Sequence, residues 1–368
     1  MKLIMATKNE LSVPFMAIHP GSILKEELKE RGIKQKDFAQ LIGMRETHLS
    51  TLIKGRRNIS AEVADKLETY LGISSVSWLN LQTQYDYDCR VIEKRGIEEQ
   101  SASNELTAYE NVFSVKTVIN RLGINCSTRS GQLKKMTEEL NICPAAELQL
   151  KVSGMFRKSE KKGLDEKMIA TWILLSRAAA KKITVKNTFD KDRIKELIVE
   201  LRDIFNSNSD TVNRVTSAFS EYGIKFGIVE KVDGASIDGY SFYDDDTPCI
   251  IVTKRYDKID SFAFSVMHEL GHVLNHLGHE NQTTWMSISD YHKGNREEKE
   301  ADEFASNSLI PKSIWDKAPE TKVNSTLLQN TFSEWAKGIN YNKWIVLGRV
   351  SYELQMYKFK DDGTRKIA

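Results

Sequence analysis

Seven histidines occur in the 368-residue chain, and four of them (His268, His272, His276 and His279) fall within one short stretch. The first two belong to His268-Glu269-Leu270-Gly271-His272, which ends an apolar run from Phe262 to Met267. The run reads as a buried helix. Residues four apart on a helix project from one face, one turn above the other. Two imidazoles placed so can grip one divalent ion, and the glutamate after the first can reach a water in the ion's open position. The chemistry this predicts is metal-assisted hydrolysis. Zn2+ is the expected cofactor, His268 and His272 are expected ligands, and Glu269 is the expected catalytic base that later returns the proton to a leaving amine. By chance the pattern arises on the order of once in a hundred chains of this size. His276 and His279 follow on nearly the same side and read as ordinary polar positions near a helix end.

A catalytic zinc needs a third protein ligand. The acidic segment 295–305 offers several candidates on what reads as a helix. Glu298 shares a face with Ala301, Asp302 and Ala305, small residues suited to packing inward, and is the expected third ligand. Glu297 and Glu300 stay open as competitors. Asp302, one turn after Glu298, suits an outer role, accepting the free ring N–H of a ligating histidine. Tyr291, His292, Arg349 and Tyr352 could each supply a donor for a developing oxyanion, and spacing singles out none of them.

Elements must hold these groups in place. After Asp190 the texture is that of a long helix (192–205), then β-rich pieces at 225–229, 240–243 and 248–253 separated by Asp- and Gly-containing turns. A small sheet flanked by helices follows as the expectation, an α+β domain. Its signatures resemble the ImmA/IrrE family of zinc metallopeptidases: His268 to His276, then Glu298-Lys299-Glu300-Ala301-Asp302-Glu303-Phe304-Ala305, then Leu309-Ile310-Pro311. Ile345 to Val350 resembles a late strand of that family. The family usually carries Asn where Asp302 stands. The resemblance implies a zincin-like metallopeptidase fold and a bacterial regulator that cleaves, or otherwise relieves, a helix-turn-helix repressor.

The other end of the chain carries a different device. Residues 34–43 and 46–55 read as two short helices, each closed by glycine, with Phe38, Leu41, Leu49, Leu52 and Ile53 as their shared core. Glu46, Thr47, His48, Ser50 and Thr51 are left outward, where they can bond to base edges. Lys54, Arg56 and Arg57 form a local positive cluster suited to phosphates, and Gln35 can bond a phosphate at the start of the first helix. His19-Pro20-Gly21, Gln35 to Ala39, Lys54 to Arg57 and Trp78 to Gln82 resemble HigA-type antitoxins of the Xre helix-turn-helix class. Arg45 stands where that group often has a serine cap. The resemblance implies operator DNA as a partner, a palindromic site and a homodimer.

Length and composition fit a multidomain protein, with 40% hydrophobic and 28% charged residues. A net charge of +2 assigns no partner, so any DNA-binding surface must come from local clustering. The four cysteines (Cys89, Cys126, Cys143 and Cys249) form no C-x-x-C pair and read as free thiols of a reducing compartment. Met1 to Glu10 lacks the apolar run of a signal peptide, and no stretch is long enough to span a bilayer. A cytoplasmic protein with no membrane contact is expected.

The expected organisation is a lead-in (1–16), an all-α helix-turn-helix DNA-binding domain (17–88), a helical middle segment (89–189) and the metallopeptidase domain (190–368). The expected function is a transcriptional regulator with a zinc endopeptidase acting on a repressor, an antitoxin or its own chain. The alternative is an antitoxin or autorepressor whose C-terminal domain binds a toxin or senses a signal without cutting.

Overall fold

The computed structural model describes residues 16–156, 165–253, 257–278, 284–288, 296–320, 325–354 and 359–368. The lead-in lies almost wholly outside them, as do His279, Tyr291 and His292. The chain divides into two compact units. One runs to Asn104 and takes in Thr128–Ser130; the other holds Glu105–Ser127 and Gly131–Ala368. The segment expected as a helical middle, 89–189, is therefore shared between the units.

Among the described residues the elements of the first unit are all helices. The unit contains α1 (Pro20–Glu30), α2 (Gln35–Leu41), α3 (Glu46–Ile53), α4 (Ala61–Leu71) and most of α5 (Ser75–Glu110). His19 caps α1 through Nδ1, which accepts from the Gly21 amide at 2.9 Å. Gly43, Gly55 and Gly72 close their helices with φ between 65° and 74°, a region open to glycine without a Cβ clash. Leu24, Leu28, Phe38, Ala39, Ile42, Leu49, Leu52, Leu67 and Trp78 form one core. Leu41 is not part of it: α2 turns Phe38, Ala39 and Ile42 inward, and Leu41 is 53% exposed. α5 runs for 36 residues and crosses the boundary expected at residues 88 and 89.

The second unit is α+β. The end of α5 opens it, followed by α6 (Val115–Arg121), α7 (Arg129–Leu140) apart from its first two residues, α8 (Ala145–Phe156) and α9 (Glu166–Lys181). Then come α10 (Ile194–Ser207), α11 (Thr211–Glu221), β1 (Lys225–Ile228), β2 (Ile237–Asp244), β3 (Thr247–Val252), α12 (Ile259–Asn275), β4 (Trp285–Ile288) and α13 (Arg296–Leu309). The short α14 (Lys312–Trp315), α15 (Ser325–Gly338) and α16 (Lys343–Leu354) complete the order. The sheet order is β1-β3-β2-β4. β1 runs parallel to β3, while β2 is antiparallel to both β3 and β4.

The period of two along a strand sends alternate residues to opposite faces. Cys249 and Ile251 of β3, with Tyr240 and Phe242 of β2, join a core completed by Trp172, Ile173 and Leu174 of α9. Ile250, Val252 and Phe226 face the other way and join Val266, Met267 and Leu270 of α12. The sheet is thus covered on both faces. α9 is apolar nearly all round, as a helix buried between layers must be.

Residues 345–350, expected as a strand, are the middle of α16. Trp344, Ile345, Val346, Leu347 and Val350 are all buried, and Gly348 lets this helix approach Asp260 of α12, whose Cβ lies 3.0 Å from where a Cβ on the glycine would stand. A β-branched run is compatible with either state, and packing against α12 and α15 decides for helix.

Candidate metal centre and nucleic-acid interface

α12 is buried along almost its entire length, and His268, Glu269 and His272 are 3%, 1% and 0% exposed. α13 packs closely against α12 because Gly271 has no side chain. A Cβ there would stand 3.0 Å from Phe304 Cδ1 and 3.3 Å from the Ala301 Cα. This close approach brings Glu298 over the two histidines. The Nε2 atoms of His268 and His272 are 2.9 Å apart. Glu298 Oε2 lies 3.3 Å from His268 Nε2, and its Oε1 lies 3.5 Å from His272 Nε2. One ligand atom from each of the three residues falls within 4.8 Å of the others, and among the described residues no other group of three has this arrangement.

The donor set, two imidazole nitrogens and a carboxylate, suits a divalent cation such as zinc. Its electrostatics fit a cation as well. Glu269, Glu298 and Asp302 are all buried, which is costly for carboxylates without positive charge nearby. Burial opposes a charge on His268, yet its hydrogen bonds to the Asp302 and Glu298 carboxylates and the nearby Glu269 charge outweigh it and raise its pKa to about 10. A divalent ion would replace that proton with more charge.

The surrounding groups hold these side chains in place. Asp302 Oδ1 is 2.9 Å from His268 Nδ1, and its Oδ2 accepts from the Tyr352 hydroxyl at 3.2 Å. Ser241 of β2 donates to the Glu269 carboxylate, and its hydroxyl also lies 3.1 Å from the Glu269 carbonyl. Gly239 leaves the space that the Glu269 side chain fills. The geometry separates the competing glutamates. Glu298 faces the histidines, and Glu300 instead pairs with His276 Nε2 at 3.1 Å and with Arg296 Nε at 2.7 Å. Glu297, the other competitor, is outside the cluster.

Two of the oxyanion candidates are otherwise engaged. Tyr352 bonds Asp302. Arg349 donates to the carbonyls of Ser306 and Ile310 at 3.0 and 2.7 Å, closing the end of α13, with its guanidinium over Trp315. Sequence reasoning missed Ser241, Gly239 and the contact between His272 and His276. The strand residues carry no signal at the motif itself, though a glycine and a serine two apart on a buried strand mark a close approach.

In the first unit, Gln35, Glu46, Thr47, His48, Lys54, Arg56 and Arg57 are exposed, and Ser50 and Thr51 are half-buried. Glu46 to Thr51 lie on α3, whose inward face is Leu49, Leu52 and Ile53. Thr51 donates to the His48 carbonyl at 2.8 Å. Arg45 occupies the N-cap of α3 in extended backbone and makes no side-chain capping bond. Lys54, Arg56 and Arg57 follow the helix end around Gly55.

Comparison with known proteins agrees with both halves. Residues 24–79 match the helix-turn-helix family model, and residues 225–337 match that of the IrrE N-terminal-like domain, which contains all three candidate ligands. The chain is 37% identical over 95 residues to virulence-associated protein I of Dichelobacter nodosus, covering 26% of this chain and 84% of that protein. It is 35% identical over 72 residues to YddM of Escherichia coli, an uncharacterised HTH-type transcriptional regulator, covering 19% and 77%. Among solved structures, it is similar to an addiction-module antidote protein of the HigA family from Coxiella burnetii, with 30% identity, a TM-score of 0.21 and coverage of 23% and 92%. A Pseudomonas aeruginosa protein in complex with its operator DNA gives 31% identity, a TM-score of 0.20 and coverage of 21% and 84%. The chain belongs to the Xre-type helix-turn-helix family through its N-terminal domain and carries an IrrE/ImmA-like domain after it. Among the described residues no helix is long and apolar enough to cross a membrane.

Proposed function

We propose that this protein is a DNA-binding transcriptional regulator whose C-terminal domain is a zinc-dependent endopeptidase directed at a regulatory protein, a repressor or antitoxin. The observation that carries the reading is the buried convergence of His268, His272 and Glu298 with Glu269 beside them. In this reading the first three hold the metal and Asp302 orients His268. When bound, zinc supplies a Lewis acid and a water whose pKa falls to near neutrality. Glu269 is the general base: Ser241 holds its carboxylate in place to take a proton and then return it to the departing amine. The buried setting keeps bulk water from the carboxylates and strengthens each of these interactions.

The helix-turn-helix half supplies the address. α3 is the recognition helix, with Glu46, Thr47, His48, Ser50 and Thr51 toward base edges. Lys54, Arg56, Arg57 and Gln35 neutralise or bond phosphates. The partner is palindromic operator DNA bound by a homodimer, as this motif favours.

Glu269→Gln tests the peptidase. The variant should bind zinc and operator DNA yet fail to cleave the target protein in cells carrying the native locus, with the regulated genes left in their unrelieved state. Target cleavage that persists in this variant overturns the reading, and a response that persists with no cleavage assigns the domain to binding alone. For the DNA half, Arg56→Ala with Arg57→Ala should weaken operator binding and flatten the slope of log affinity against log salt by about two. An unchanged slope places the phosphate contacts elsewhere.

A further inference from the structure

The second imidazole of the metal pair has a partner that the zinc reading itself does not use. We propose that His276 and Glu300 form an orienting relay that fixes the tautomer and ring angle of His272, so that His276 is a positioning residue for the metal centre. The inference rests on the reading of His268, His272 and Glu298 as ligands.

The argument starts from His272 being 0% exposed. An imidazole that offers Nε2 to a metal carries its proton on Nδ1, and a buried N–H needs an acceptor. His272 Nδ1 lies 2.9 Å from His276 Nδ1. For His276 to accept there, its own proton must sit on Nε2. That nitrogen is 3.1 Å from Glu300 Oε2, a carboxylate able to take it. The other oxygen of Glu300 accepts from Arg296 Nε at 2.7 Å. With His276 neutral, each donor in the series meets an acceptor, from His272 to His276 to Glu300.

His276 cannot instead be a fourth ligand. It meets His272 at Nδ1, while the ligand nitrogens of His268 and His272 face each other through Nε2 on the far flank of the ring. α12 places His276 one turn beyond His272, which accounts for the contact. The helix ends there, where the amides of His276 and Leu277 both bond the His272 carbonyl at 3.0 Å.

The two ligand histidines are then held in parallel fashion by one helix. His268 passes its Nδ1 to Asp302, and His272 passes its Nδ1 through His276 to Glu300, both carboxylates belonging to α13. They differ in setting: the Asp302 side chain is 4% exposed and that of Glu300 is 41% exposed. α13 thus contributes the third ligand and both terminal acceptors, which makes the aim of the two imidazoles depend on the placement of a single element.

The test uses the full chain, stripped of metal and titrated with Zn2+ against a chromogenic chelator. The unaltered protein should take up one equivalent. His276→Phe, which keeps a flat ring and removes both nitrogens, should weaken zinc binding by about 10–100-fold. Glu300→Ala changes a half-exposed side chain and keeps the fold even if the first variant does not; it should weaken binding in the same direction by less. Combining the two should add nothing to His276→Phe, because the residues act in series. The visible spectrum of the Co2+-loaded protein should change in both single variants, whereas the melting temperature of metal-free Glu300→Ala should not. Affinity and Co2+ spectrum matching the unaltered protein in both variants overturn the relay, as does full additivity in the double variant. Absence of zinc uptake by the unaltered protein overturns the ligand reading beneath it.

Discussion

Replacing Gly239 with alanine probes how β2 positions Glu269. The glycine sits on the face of β2 that meets α12, and a Cβ there would overlap the Glu269 carboxylate and stand 2.5 Å from its Cγ. Ordinary van der Waals contact begins near 3.4 Å, so the side chain must retreat by 1 Å or more. It has little room, since Ser241 and the body of α12 enclose it and Glu269 is 1% exposed. Overpacking of this kind costs about 1–3 kcal/mol. For a domain of this size that is a fall in melting temperature of roughly 2–12 °C. If Glu269 is the base, a displacement of about 1 Å costs on the order of 100-fold in the hydrolytic rate, or about 2.7 kcal/mol in the barrier. Zinc affinity should stay close to its original value, because Gly239 faces the base and none of the ligands. Gly227 on β1 is the control. A Cβ there would meet only the far ends of Ile183 and Ile251, at 3.0 Å each, and the gain in chain stiffness offsets the crowding to within about 1 kcal/mol. The measurements are thermal unfolding, zinc titration and single-turnover cleavage of the target. A Gly239→Ala protein as stable and as active as the original refutes the placement of Glu269 against β2.

Glu298→Ala should abolish stoichiometric zinc uptake at micromolar metal, while Glu297→Ala should leave it intact; the reverse outcome in a chelator titration reassigns the third ligand. Burial pushes the Cys249 thiol up to about 12, so iodoacetamide at pH 8 should modify Cys89, Cys126 and Cys143 in the folded protein and reach Cys249 only in denaturant. Mass spectrometry of the digested protein decides it, and early modification of Cys249 refutes its burial.

The convergence of His268, Glu269 and His272 was legible because a helix converts a spacing of four into adjacency, a local rule that needs no knowledge of the rest of the fold. Glu298 was legible for a related reason: Ala301 and Ala305, small residues on its face, mark the side on which α13 approaches α12. The same rule turned Glu300 away from the histidine pair and left its contact with His276 unseen, because that contact forms only once α13 is packed on α12. Ser241 and Gly239 precede the motif by some thirty residues and reach it through sheet register, which short-range spacing does not encode. The region 345–350 misled for a complementary reason. Its Ile and Val suit a strand, but burial on several sides within a helical layer overrode that preference. In the N-terminal unit the glycines and the inward leucines read true, and Leu41 did not, since a helix of seven residues offers too little length to fix the edge of its apolar face.

The cover that α9 lays over the second face of the sheet bears on how the second unit can be handled in the laboratory. A recombinant fragment beginning near residue 190, where the texture of the sequence changes, would lack that helix and leave Tyr240, Phe242, Cys249 and Ile251 open to water. A contiguous greasy surface of that kind invites self-association and inclusion bodies, and an empty zinc titration of such material would report the loss of its lid and say nothing about the metal ligands. A fragment starting at Glu105 keeps the full second unit and is the appropriate minimal piece for biochemistry.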